Sequence, residues 1–262
     1  MGKLKASILV SNHNNELFLN ECINSIRKQS FKNYEIIFID DNSSDNSISI
    51  AKKNDIEKII SKTETTKVGS FNQMDNFYKG FELSVGDIIF FLDSDDYFHT
   101  NKLESVVQFF DENPTMNIVF DLPIITKNKI DKNIKFKKKI FETYWPYIHP
   151  QSCISIKKET FQKMYNKISN ERLKQFHDAW MDFRICIYSK YTLNEFNILK
   201  KNLTFYRQGH SNYSSKYKFL NKNWWRRRLN CHDYVKEYFD LNNINYKKNY
   251  DYFITKGINN IL

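Results

Sequence analysis

Gly86-Asp87-Ile88-Ile89-Phe90-Phe91-Leu92-Asp93-Ser94-Asp95-Asp96 decides how this chain is read. Residues 88–92 are too apolar for an exposed loop and follow a Gly-Asp pair, so they predict a strand buried on both faces that stops where the acids begin. Asp93 and Asp95 are two positions apart. In extended backbone that spacing sends both carboxylates to one side, where they can share a cation. The competing reading is a polar turn closing a core strand, and the surrounding sequence has to decide between them.

The flanking sequence alternates strands and helices, the pattern of a parallel sheet covered by helices and hence of an α/β fold. A first strand over 7–11 leads to a helix over 16–29, whose Phe18, Leu19, Cys22, Ile23 and Ile26 recur at helical spacing. A second strand over 34–39 ends in Asp40-Asp41-Asn42-Ser43-Ser44-Asp45, a run of side chains suited to capping the next helix. A short strand over 56–61 and helices over 71–84 and 102–112 complete this half, the last stopped by Asn113 and Pro114. Ligands of open α/β sheets bind beyond the carboxyl ends of the strands. Three such ends are polar here: Ser11 to Asn14, Asp40 with Asp41, and Asp93 to Asp96. Their convergence favours a shared nucleotide site over an isolated acidic turn.

From Ile118 the pattern loosens. The lysine-rich stretch 127–139 has no clear period and reads as a solvated loop in preference to an acceptor-binding element. A strand over 152–156, a helix over 158–166 and a helix starting near Asp178 follow. The tail from Phe219 is aromatic and basic, centred on Trp224-Trp225-Arg226-Arg227-Arg228. Indoles packed on the core with arginines in solvent are the default reading of that cluster, against contact with an anionic membrane or an acidic glycan.

A chain of 262 residues can bury a full core without staples. Its four cysteines, Cys22, Cys153, Cys186 and Cys231, are scattered among apolar neighbours without a Cys-x-x-Cys pair, which predicts buried free thiols in a reducing compartment. Residues 1–5 are basic, but the apolar stretch 6–10 is too short for a signal sequence or a membrane span, so a cytoplasmic location is expected. The formal net charge of +10 suits anionic partners without choosing among them, and much of it is lysine in a chain also rich in asparagine and isoleucine. No Gly-x-Gly occurs, which removes the usual dinucleotide and P-loop cradles, and no cysteine and histidine spacing suits structural zinc.

The stretch 6–47, ASILVSNHNNELFLNECINSIRKQSFKNYEIIFIDDNSSDNS, with 80–96, GFELSVGDIIFFLDSDD, resembles the family 2 glycosyltransferases. The resemblance is strong over roughly the first 110 residues and weaker to about residue 215. It implies the GT-A fold: a Rossmann-like nucleotide-binding half over 1–115, an acceptor-binding half over 116–215, and a helical extension over 216–262. It also implies roles. Asp41 would accept a ring N–H of the nucleotide base, and Ser11 and His13 would line the base pocket, His13 standing where Tyr is usual. Asp93 would touch the ribose or the metal, and Asp95 would ligate a Mg²⁺ or Mn²⁺ that bridges the diphosphate.

Further along, Asp178 matches the family's catalytic base, with His177 and Trp180 beside it as acceptor-binding residues. Asp178 would serve equally well as a helix cap. In Tyr206-Arg207-Gln208-Gly209-His210, the resemblance makes His210 a metal or diphosphate ligand and Arg207 an anion partner, although an inserted residue blurs the register. Tyr78 stands where many relatives have Asn, a departure inside the donor pocket. The Gln-x-x-Arg-Trp motif of processive synthases is absent, so single-sugar addition is expected. The resemblance thus implies an inverting transfer from a nucleotide-diphosphate sugar, with a UDP-sugar expected, to a glycan or lipid-linked glycan of the capsule or lipooligosaccharide kind. Peripheral contact at the inner face of the membrane goes with such an acceptor. The rivals are a nucleotidyltransferase, whose glycine-rich phosphate loop is not visible, and a non-catalytic binder of acidic glycan or nucleic acid. No nucleic-acid module accompanies the basic residues, so nucleic acid is not an expected partner.

Overall fold

The computed structural model describes residues 4–136, 143–144, 150–209 and 217–262. A single mixed sheet runs in the order β3-β2-β1-β4-β8-β6-β9-β5, with β7 paired to β6. Strands β1 (Ala6–Asn12), β2 (Tyr34–Asp40), β3 (Lys58–Ser61) and β4 (Ile88–Asp93) are parallel, as the alternating pattern predicted. Beyond β4, β8 (Ile154–Lys157) runs antiparallel and joins β6 (Ile118–Lys127), which pairs in parallel with β9 (Asn197–Gln208). The two-residue β5 (Tyr97–Phe98) closes the order on β9.

Both faces of β1 and β4 are covered, which explains their unbroken apolar runs. Alternation sends Ile8, Val10, Phe90 and Leu92 to one core, with α1 (Glu16–Arg27) and α4 (Lys102–Glu112). It sends Leu9, Ile89 and Phe91 to the other, with α3 (Gly69–Leu83), α5 (Lys158–Ile168) and α6 (Met181–Tyr191). Gly86 is required where the chain enters β4, because a Cβ there would meet Ser7 Oγ at 2.6 Å and the Ala6 carbonyl carbon at 2.7 Å. The capping run after β2 acts as predicted. Asp45 accepts the Ser47 N–H at the start of α2 (Ser47–Lys53), and its other oxygen accepts the Glu16 N–H that opens α1.

Three local expectations need correction. Part of the lysine-rich stretch is a hairpin: β7 (Ile130–Asn133) returns on β6 through Asn128 and Lys129, both at positive φ. Asn suits the first of these positions, but glycine is the usual second, so Lys129 left the turn signal incomplete. The helix expected near Asp178 begins at Met181, leaving Asp178 in the turn before it. Tyr78 stacks on Tyr165 at 4.2 Å, and the amide facing the strand ends comes from Asn76 on the same helix.

The tail forms α7 (Lys222–Leu241) and α8 (Tyr250–Ile261). Its basic cluster divides its work: Arg226 is exposed, Arg227 borders the main cleft and Arg228 pairs with Asp251. Asp251 also receives Thr143 and faces His232 at 3.2 Å, and although burial opposes its charge, these hydrogen bonds hold its carboxyl well below the usual range. All four cysteines are free and buried.

Candidate active site

Parallel register sets the site. Asn12 lies opposite Asp40, and Ser11 lies opposite Asp93, so the polar ends of β2, β1 and β4 stand side by side. They open into a cleft of about 820 Å³ bordered by Ser11, His13, Asp41, Asp93, Asp95 and Trp180, among others. Six of the residues assigned from sequence are therefore brought together. His177 and Asp178 are not on its lining. His177 is exposed and packs edge-on against Phe71 at 5.4 Å. His210 lies outside the described residues.

At one end Asp41 is buried and paired with Lys62 Nζ at 2.9 Å. Lys62 also meets Asp75 Oδ2 at 2.9 Å and donates to Asn76 Oδ1 at 2.9 Å, while Asn76 Nδ2 donates to Ser11 Oγ at 3.0 Å. His13 Nδ1 contacts the Asp41 carbonyl at 2.8 Å. The pocket's polar groups are thus oriented by one network from β1, β3 and α3. Lys62 and Asn76 escaped the sequence reading; the only trace of Lys62 was its place just past a strand.

At the other end the acid turn is held from beneath. Ser152 Oγ accepts the Asp93 N–H at 3.0 Å and donates to Asp96 Oδ2 at 2.6 Å. Asp96 Oδ1 also accepts the Arg207 N–H at 2.9 Å, so this third acid points inward as a brace. Arg207 itself serves the turn, because its Nε donates to the Asp95 carbonyl at 2.8 Å and its Nη2 pairs with Glu21 at 2.7 Å. Its expected part as an anion partner gives way to that clamp. Asp93 accepts from Gln73 Nε2 at 3.1 Å; burial, then the nearby Asp95, pushes its carboxyl up to about 8.

Below Ser152 sits a fully buried ion pair, Lys102 Nζ to Asp121 Oδ2 at 2.7 Å. Lys102 also donates to the Ser152 carbonyl and to Thr204 Oγ1, and Thr204 donates to Asp121 Oδ1 at 2.7 Å. Burial raises the Asp121 carboxyl and Lys102 draws it back.

The turn bearing Asp178 is fixed by Arg184, whose fully buried guanidinium donates to the carbonyls of Ala179, Ile168, Leu173 and Phe176. Asp178 Oδ1 accepts the hydroxyl of Tyr217, and Tyr217 does border the cleft. A carboxylate that the sequence reading missed, Asp182, borders the cleft directly, with its carboxyl raised by burial and drawn back by Arg227. It was hidden in the first turn of α6, where an acid is unremarkable. Among the described residues no three His, Cys, Asp or Glu side chains converge as a ready metal cluster.

The model of the family described as "Glycosyl transferase family 2" matches residues 7–186. An uncharacterized glycosyltransferase of Nostoc sp. is 28% identical over 224 residues, covering 81% of this chain and 67% of that protein. The poly(ribitol-phosphate) beta-N-acetylglucosaminyltransferase TarS of Staphylococcus aureus is 32% identical over 113 residues, which is 42% of this chain and only 19% of TarS. The chain thus spans two thirds or less of the length of these curated relatives. The crystal structure of S. aureus TarS 1-349 in complex with UDP-GlcNAc superposes with a TM-score of 0.62 over 98% of this chain and 70% of that one, at 14% identity. The same fragment in complex with UDP gives 0.59 at 15% identity. Such likeness carries the fold, while the family match spans most of the sheet and all the acids of the cleft. The chain therefore belongs to glycosyl transferase family 2, with the GT-A fold.

Proposed function

We propose that the chain moves a sugar from a UDP-sugar to a hydroxyl of a surface glycan, of the capsule or lipooligosaccharide kind, with inversion at the anomeric carbon. The observation that carries this reading is the convergence of Asp41 with Asp93 and Asp95 on one cleft beyond parallel strand ends. The UDP and UDP-GlcNAc complexes of TarS support a uridine nucleotide as the donor. Asp41 accepts a ring N–H of the base, and Ser11 and His13 line the base pocket. Asp93 and Asp95 fit Mg²⁺ or Mn²⁺: both offer hard oxygen, and both border the cleft. His210 is the proposed third ligand. When bound, the cation offsets the charge of the departing diphosphate. Asp178 takes the proton of the acceptor hydroxyl, which displaces the hydroxyl of Tyr217, and Trp180 contacts the acceptor.

Titration calorimetry tests this. Mn²⁺ is expected to tighten UDP binding by about tenfold or more, and Asp95→Ala to abolish that gain, because Asp95 would hold the ion that offsets the diphosphate charge. Binding of anionic polymers that ignores metal and weakens with salt would instead make the chain a non-catalytic binder. A donor screen that reports released nucleotide then identifies the sugar.

The tail supports work at the inner face of the membrane, in the cytoplasm. On α8, Tyr250, Phe253, Ile254 and Ile261 share one helical face and are 87%, 56%, 57% and 86% exposed. Lys247, Lys248 and Lys256 are exposed around that stripe, so an anionic lipid surface is the matching partner. No described helix is long and apolar enough to cross a membrane. The protein is expected to sediment with phosphatidylglycerol vesicles and not with phosphatidylcholine ones, and Phe253→Glu to release it. Equal recovery with both vesicle types removes the membrane from the proposal.

A further inference from the structure

Gln151 is 3% exposed, and among the described residues neither its Nε2 nor its Oε1 has a hydrogen-bond partner, although the residue borders the cleft. Buried amides are paired in the great majority of proteins, because an unmet donor or acceptor has given up water for nothing. The backbone that carries it is held in place. Gln151–Cys153 forms a short 3₁₀ turn closed by the Cys153 N–H donating to the Pro150 carbonyl at 2.8 Å. Its neighbour Ser152 is pinned by Asp93, Asp96 and Lys102.

The sheet says what lies beside this residue. Its strand order β2-β1-β4-β8 places Asp41, then Ser11 and Asn12, then Asp93, then Gln151 along one edge, because antiparallel β8 begins where β4 ends. Each step along that edge is about 4.8 Å. If the base lies at Asp41 and the diphosphate at Asp93, the next group out is the sugar. A carboxamide donates and accepts at once, as a ring hydroxyl does.

We infer that the Gln151 carboxamide binds a hydroxyl of the transferred sugar and thereby discriminates among sugar nucleotides. The assignment rests on the UDP-sugar reading above. The contact is made to the donor and is absent with UDP alone. It also leaves the empty protein carrying an unmet amide, so removing that amide should not harm folding.

Gln151→Met, similar in length and without polar atoms, tests both consequences. Wild-type protein is first titrated with UDP and with UDP-glucose, UDP-galactose, UDP-GlcNAc and UDP-GalNAc. For the tightest UDP-sugar, the variant is expected to lose about tenfold in affinity, the worth of one good buried hydrogen bond, while UDP affinity is unchanged. Without ligand the variant should melt at or above the wild-type temperature. Loss of UDP and UDP-sugar affinity by the same factor, no change in either, or a clearly lowered melting temperature overturns the assignment and makes Gln151 structural. Failure of wild-type protein to bind any uridine nucleotide overturns the donor reading itself, and is seen before the variant is made.

Discussion

Asp178→Asn is expected to lower kcat by about 10²–10⁴-fold, the range lost when a general base is removed, with UDP affinity essentially retained. An acceptor hydroxyl is a poor nucleophile until its proton is taken, and asparagine of nearly the same shape cannot take it. The turn should survive the change. Its backbone is held by the four carbonyl contacts of Arg184 and by the Asp178 N–H donating to Asn230 at 3.0 Å, none of which uses the carboxylate. Asp182→Asn is the necessary comparison, because Asp182 borders the cleft and Asp178 reaches it through Tyr217. Transfer that survives in Asp178→Asn and collapses in Asp182→Asn would move the base to α6. Measuring kcat and nucleotide affinity together separates either result from a damaged donor site.

Lys102→Met should destabilise the fold by about 3–5 kcal/mol, read as a lower urea midpoint with an unchanged slope. The cost comes from what is left behind: Asp121, 1% exposed, loses the ammonium that holds its charge, and Thr204 and the Ser152 carbonyl lose a donor. Replacing both partners, Lys102→Met with Asp121→Leu, should recover part of the loss by removing the stranded carboxylate. An unchanged midpoint in the single variant would show that the pair contributes nothing net. The same change should weaken UDP binding, since Ser152 links this pair to the backbone of Asp93 and to Asp96.

What the sequence disclosed was local. The acids after β4 and β2 were legible because each follows an apolar run within a few residues, and the α/β rhythm of the first half is a matter of short-range periodicity. The supports of those acids were not legible. Ser152 lies 59 positions from Asp93, Arg207 lies 112 from Asp95, and Lys102 lies 102 from Thr204; each is an ordinary polar residue until the sheet joins them. Gln151 was invisible for a different reason, because an amide's lack of a partner is a property of its surroundings. Tyr78 shows the reverse hazard: a position matched by family resemblance turns onto Tyr165, and the polar group is supplied two residues earlier on the same helix.

The unbroken sheet has a mechanical consequence. Strands of the first half hand over directly to strands of the second through β4 and β8, and the clamp of Arg207 ties β9 back to the acid turn. Hinge closure of two rigid bodies around a ligand needs a few residues free to absorb a large φ/ψ change, and a shared hydrogen-bonded ladder offers none. Any gating that accompanies catalysis therefore falls to the segments beyond the strand ends.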